Sequence, residues 1–197
     1  QKTRTTYEWI IEAYQYGENS ESSVSIINNL KSEIAKVSKS GLTYGESSNH
    51  LFFVPSIDSF NAQFEPKYIL AICEPVSFVK SALARGFYDP DHPYPLLNPL
   101  LPGTDDPIKP IWRKLDPFLK CLWYWMAKND YALINLVEKI PFDRWRVFLF
   151  ENINEMAAYQ QMYNFLGLDG FNANKSKIRF LLDPKFDATS VKNERDM

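Results

Sequence analysis

Two cysteines and two histidines in 197 residues are too few for a Cys/His metal site, and Cys73 and Cys121 cannot build a disulfide framework. Composition therefore leaves the redox compartment open. Long apolar runs are also missing. None approaches the roughly 20 residues that cross a bilayer, so no transmembrane segment is expected, and no signal-peptide pattern is present. A surplus of one charge is lacking as well. With 22 basic and 24 acidic residues the net charge is −2, which removes the global electrostatic case for nucleic acid or an acidic membrane as partner. Internal repeats and low-complexity segments do not occur. The first residue is Gln rather than Met, so the natural start is expected upstream or removed by processing, which leaves a targeting segment open.

What remains is an ordinary globular composition, 45% hydrophobic and 23% charged, of a length that one well-buried core can serve; a single domain over residues 1–197 is expected. The 15% aromatic content predicts a large core or a sticky surface. The organising stretch is Lys67 to Ser81. Tyr68 to Cys73 is a short continuous apolar run, the pattern of a strand covered on both faces, and Val76 to Arg85 changes to helical spacing after a Pro-bearing turn. In open α/β sheets such a junction opens into the crevice where ligands sit.

Residues 1–41 read as a helical lead-in. Thr5 to Glu8 has capping-box spacing before a helix carrying Tyr7, Ile10, Ile11 and Tyr14 and ending at Gly17. After a polar linker, Glu18 to Ser23, the spacing of Ile27, Leu30, Ile34 and Val37 predicts a second amphipathic helix stopped by Gly41. Leu42 to His50 is a loop bearing hydroxyls, a carboxylate and an imidazole, and Leu51 to Phe60 reads as a short helix around Pro55. Residues 86–110 hold seven of the 13 prolines, which predicts an ordered, irregular excursion over the surface. From Ile111 to Lys139 the aromatic pattern, with Trp112, Trp123, Tyr124 and Trp125, reads as two helices broken near Asn129-Asp130. Arg146 to Phe150 is a second buried parallel strand; Asn154 to Leu166 is a helix ended by Gly167, and residues 183–197 are a polar tail. The order strand, helix, helices, strand, helix specifies an α/β layer.

Three separated segments together resemble the sulfotransferases that use 3′-phosphoadenosine 5′-phosphosulfate (PAPS), particularly those acting on glycans. Tyr44-Gly-Glu-Ser-Ser-Asn49 is similar to the family's Gly-Glu-Lys-[Ser/Thr]-Pro segment, with Ser47 and Asn49 in place of its Lys and Pro. Leu70 to Ser81 resembles the strand ending in Arg-[Asp/Asn]-Pro with a Ser eight positions after the Arg. Pro75 and Ser81 fall in register, while Cys73 and Glu74 stand at the Arg and acidic positions. Trp145 to Ile153, followed by Tyr163-Asn-Phe-Leu-Gly-Leu168, is similar to the late strand, its Tyr-Glu-[Asp/Asn]-Leu continuation and the Phe-Leu-Gly-Leu helix end. The resemblance covers residues 42–182. It implies an α/β fold with a parallel central sheet flanked by helices, the P-loop-type three-layer architecture of sulfotransferases. Nothing between Gln1 and Gly41 has the form of the family's amino-terminal strand and phosphate-binding loop, which are therefore expected before Gln1.

The resemblance also implies the chemistry. Sulfuryl transfer, like phosphoryl transfer, needs an acceptor positioned, its proton withdrawn, and charge on the transferred group stabilised by amides and cations. Glu46 would be the base, with His50 in reserve. Ser81, which the family pairs with the Arg whose nucleotide-binding position Cys73 occupies, would bind the 3′-phosphate, with Lys175, Lys177 and Arg179 in the basic loop that closes over it. Losing the guanidinium at position 73 forfeits a charge-assisted bond of about 1.5 to 3 kcal/mol. A solvated basic turn at 175–179, a buried inert thiol at Cys73 and a surface Glu46 are the competing readings. PAPS is the implied co-substrate, without a metal, and a glycan or small-molecule hydroxyl or amine the implied acceptor, its cleft shaped by residues 86–110. The alternative is a catalytically inactive relative serving as a structural or adaptor subunit with protein partners, favoured by Cys73 and Ser47.

Overall fold

The computed structural model describes residues 12, 14–16, 20–39, 43–46, 51–91 and 100–168. The chain divides into two compact units, Gln1–Asn152 and Ile153–Met197, described separately.

Helix α1 (Glu21–Ser38) starts earlier than the polar linker suggests, because Ser20 is a working N-cap: its Oγ accepts from the Ser23 amide at 3.0 Å. Ile27, Leu30 and Ile34 turn inward from it, as their spacing predicts. Of the first expected helix, residues 12 and 14–16 are described and helical; Gly17 and Gly41 lie outside the described residues.

The helix expected over Leu51 to Phe60 is two elements. A 3₁₀ turn, Val54–Ser56, is followed by α2 (Asp58–Phe64), with Ile57 extended between them. Pro55 has no amide hydrogen to give and so fits the opening of the 3₁₀ turn. Phe53, with no exposed surface, anchors a core with Phe52, Ile57, Phe60, Leu100 and Trp123. Burying such a ring removes about 1.5–3 kcal/mol of unfavourable hydration. The buried Asn61 and Ser56 side chains of this core are satisfied. Asn61 donates to the Pro55 carbonyl at 2.9 Å and accepts from the Tyr68 hydroxyl at 2.6 Å, and Ser56 donates to the Phe53 carbonyl at 2.7 Å.

β1 (Tyr68–Ile72) leads through Cys73-Glu74 into α3 (Pro75–Ala84), as expected. The aromatic segment forms one helix rather than two: α4 (Pro117–Lys139) runs 23 residues through Asn129-Asp130. Asn129 does not break it, since its side-chain amide folds back to the Trp125 carbonyl one turn earlier, at 2.9 Å. The true break comes before the helix, where a 3₁₀ turn, Lys109–Lys114, ends and Asp116 caps α4 by accepting from the Leu119 amide at 2.8 Å. α3 packs on α4 around Val79, Ala82, Phe87 and Cys121, with the Phe78 and Tyr124 rings stacked at 5.7 Å.

β2 (Trp145–Leu149) pairs in parallel with β1, Tyr68 opposite Trp145 and Ile72 opposite Leu149. The fold is thus a parallel sheet flanked by helices, of the α/β type. Among the described residues the sheet has two strands, and β2 is not covered on both faces as its apolar run suggests: Val147 and Leu149 are 43% and 50% exposed. A continuous apolar run reports what a strand could bury, and the neighbours decide what it does bury.

In the second unit, α5 (Met156–Leu166) ends at Gly167, whose φ of 70° suits a residue without a side chain; the Leu168 amide closes the turn on the Tyr163 carbonyl at 3.0 Å.

Candidate functional site

The carboxyl ends of two parallel strands meet the amino end of α3, and three elements place side chains there. Cys73 and Glu74 follow β1 directly, Glu151 follows β2, and Trp125 and Lys128 come from α4. The three-residue spacing of Trp125 and Lys128 puts both on one face of α4. The Trp125 indole donates to the Cys73 carbonyl at 2.9 Å, which ties that face to the strand end.

The amino end of α3 is already supplied with acceptors. Glu74 is its N-cap and accepts from the Ser77 amide at 2.9 Å and the Ser77 hydroxyl at 2.8 Å. These bonds hold the Glu74 carboxyl below its ordinary pKa. The Glu74 amide itself donates to Glu151 Oε1 at 2.5 Å. Two carboxylates therefore occupy amides of the kind that bind an anion at a helix start.

Cys73 is half-buried, and burial pushes its thiol pKa up; Glu151 pushes the same way, while the Lys128 ammonium and the Trp125 indole oppose them. A thiol whose net shift is upward is a poor nucleophile at neutral pH. Lys128 is half-buried too. Desolvation lowers its pKa, and the neighbouring Cys73 sulfur favours its charged form. It makes no hydrogen bond or ion pair among the described residues. A cation so placed and so lightly compensated is suited to meeting an anion at the strand end.

The residues singled out from sequence separate into three groups. Cys73 stands at the crevice, and Ser81 is exposed on α3, one turn beyond Ser77 on the same face. Glu46 is exposed and accepts from the Tyr44 hydroxyl at 2.8 Å, pushing the phenol, already raised by burial, to about 12. No hydrogen bond or ion pair joins Glu46 to Cys73, Glu74 or Ser81. His50, Lys175, Lys177 and Arg179 lie outside the described residues.

Sequence reasoning missed Lys128, Trp125 and Glu151. Glu151 sits in the late motif, where position alone marks it; Trp125 reads from sequence as one of the aromatics of a helical pattern. Lys128 carries no local signal, because the rotation of α4 against β1 decides whether its ammonium reaches the strand end. No family model matches the chain, and neither a curated protein nor a solved structure matches it.

Proposed function

We propose that this chain is part of a sulfotransferase-like domain that transfers a sulfuryl group from PAPS to a hydroxyl or amine of a glycan or small molecule. The observation that carries the reading is the Trp125 indole bonded to the Cys73 carbonyl at 2.9 Å, which turns the α4 face that also bears Lys128 toward the strand end. Lys128 supplies, from a different element, a positive charge at the strand end where the resembling family has an Arg. Ser81 on α3 is the hydroxyl for the 3′-phosphate, and Lys175, Lys177 and Arg179 are the basic residues that complete it. In the transfer step the acceptor oxygen or nitrogen bonds to sulfur and its proton passes to Glu46, with His50 as the reserve base. The bond from sulfur to the phosphate oxygen breaks, and 3′-phosphoadenosine 5′-phosphate leaves. The P-loop-type architecture belongs to the same proposal.

The test is thermal stabilisation by 3′-phosphoadenosine 5′-phosphate. A bound nucleotide at a hundredfold excess over its dissociation constant adds about 2.7 kcal/mol, and Lys128→Met should remove most of that gain. No stabilisation at millimolar nucleotide overturns the reading. It would favour a second one, a catalytically inactive structural or adaptor subunit. That alternative rests on Glu74 and Glu151, whose carboxylates fill amides at the α3 start that a phosphate would use.

A further inference from the structure

A cavity of about 590 Å³ opens between the loop Pro102–Pro107, Tyr131 of α4 and the helical residues Tyr14–Tyr16. Its volume lies in the range of small-molecule sites, about 300 to 1,000 Å³. Its walls are aromatic on one side and acidic on the other. The Tyr14 and Tyr131 rings meet with centroids 5.1 Å apart at 55°, and both abut Phe52, at 6.1 and 5.8 Å. The Tyr131 hydroxyl donates to Ser56 Oγ at 3.2 Å, so that ring is fixed at both ends. Tyr16 is 69% exposed at the rim.

Asp105 and Asp106 face this wall, with Lys109 as the one ammonium among the described lining residues. Lys109 is engaged with the Pro102 carbonyl at 2.9 Å. Asp106 is held in place by two donors, the Trp123 indole at 3.0 Å and the Ile108 amide at 2.9 Å. Asp105 is exposed and makes no hydrogen bond or ion pair among the described residues. After burial, the Asp106 and Asp130 carboxylates raise the Tyr14 phenol, in keeping with the acidic wall that faces the ring pair.

We propose that this cavity binds a small organic cation, an alkylammonium head seated against the Tyr14, Tyr16 and Tyr131 rings with Asp105 as its counter-ion. Ring quadrupoles and carboxylates both attract a cation and both repel an anion, so the site selects the opposite charge from the strand-end crevice. The head and its apolar substituents gain ring contact, while the rigid Tyr131 and Asp106 keep the ordering cost low.

Calorimetric titration of the full chain with choline, and with its uncharged isostere carrying carbon in place of nitrogen, tests the assignment. Choline should bind saturably, and the isostere at least about tenfold more weakly, because the loss is that of the charge alone. Asp105→Asn and Tyr16→Ala, both at exposed positions, should each weaken choline roughly three- to tenfold without changing the melting temperature of the free protein. Absence of saturable choline binding at tens of millimolar, equal binding of the isostere, or indifference to both substitutions overturns it.

Discussion

The Glu151 side chain accepts a hydrogen bond from the Glu74 amide at 2.5 Å, across 77 positions of sequence. That contact joins the second residue past one parallel strand to the residue capping the helix after the other. It places a carboxylate on one side of Cys73 while Lys128 and the Trp125 indole act from α4. Cys73 therefore reports on the charge balance of the crevice.

Alkylation of Cys73 by iodoacetamide measures that balance. Because the net shift of the thiol is upward, alkylation should be slow at pH 7 and accelerate only above the ordinary thiol range. Glu151→Gln should speed it roughly two- to fivefold and Lys128→Met slow it by a similar factor. Cys121, fully buried with its thiol pushed to about 11, should stay silent while the protein is folded. Unchanged rates in both variants would remove the two charges from the neighbourhood of Cys73.

The Glu74 cap predicts a pH-dependent stability difference. Folding lowers the Glu74 pKa, so its contribution is present above the ordinary carboxylate range and is lost as pH falls through the lowered folded value. Glu74→Gln should melt below the wild type at pH 7, and the gap should close on acidification into that window. A gap that persists below it would assign the effect to shape rather than charge.

Core and surface phenylalanines should respond differently. Phe53 has no exposed surface, so Phe53→Ala should cost about 3–5 kcal/mol in denaturant unfolding through lost burial and a cavity. Phe142 is 73% exposed and touches Trp145 and Arg146, so Phe142→Ala should cost less than about 1 kcal/mol. Equal losses would contradict the placement of the core.

The unbroken α4 makes its own prediction. Asn129 lies inside a continuous helix, so Asn129→Ala should leave stability unchanged or raise it by up to about 0.7 kcal/mol, whereas Asn129→Pro should cost about 3 kcal/mol or more. A helix interrupted at that point would tolerate the proline.

The elements legible from sequence are those with a strong local signature. Tyr68–Ile72 is apolar and short, helical spacing from Val76 onward follows the Pro75 turn, and Gly167 stops α5 at a positive φ; each follows from a local pattern meeting one backbone requirement. The misplaced break at Asn129-Asp130 has the opposite origin. Asparagine competes with helical hydrogen bonds in isolation, but here the helix leaves its side chain a carbonyl to bind. The split of Leu51–Phe60 into a 3₁₀ turn and α2 likewise depends on Pro55 and Asn61 sharing a hydrogen bond that neither announces alone.

Of the crevice, the sequence by itself determined the strand–turn–helix at Cys73-Glu74-Pro75 and the exposed Ser81 one turn past Ser77, since backbone preference and helical period are local properties. Tertiary structure alone decided which charges surround Cys73. Glu151 arrives through the pairing of β2 with β1, and Lys128 through the packing face of α4, 55 positions beyond Cys73. Register and helix rotation are set by contacts between distant residues, and electrostatic neighbourhood follows from them.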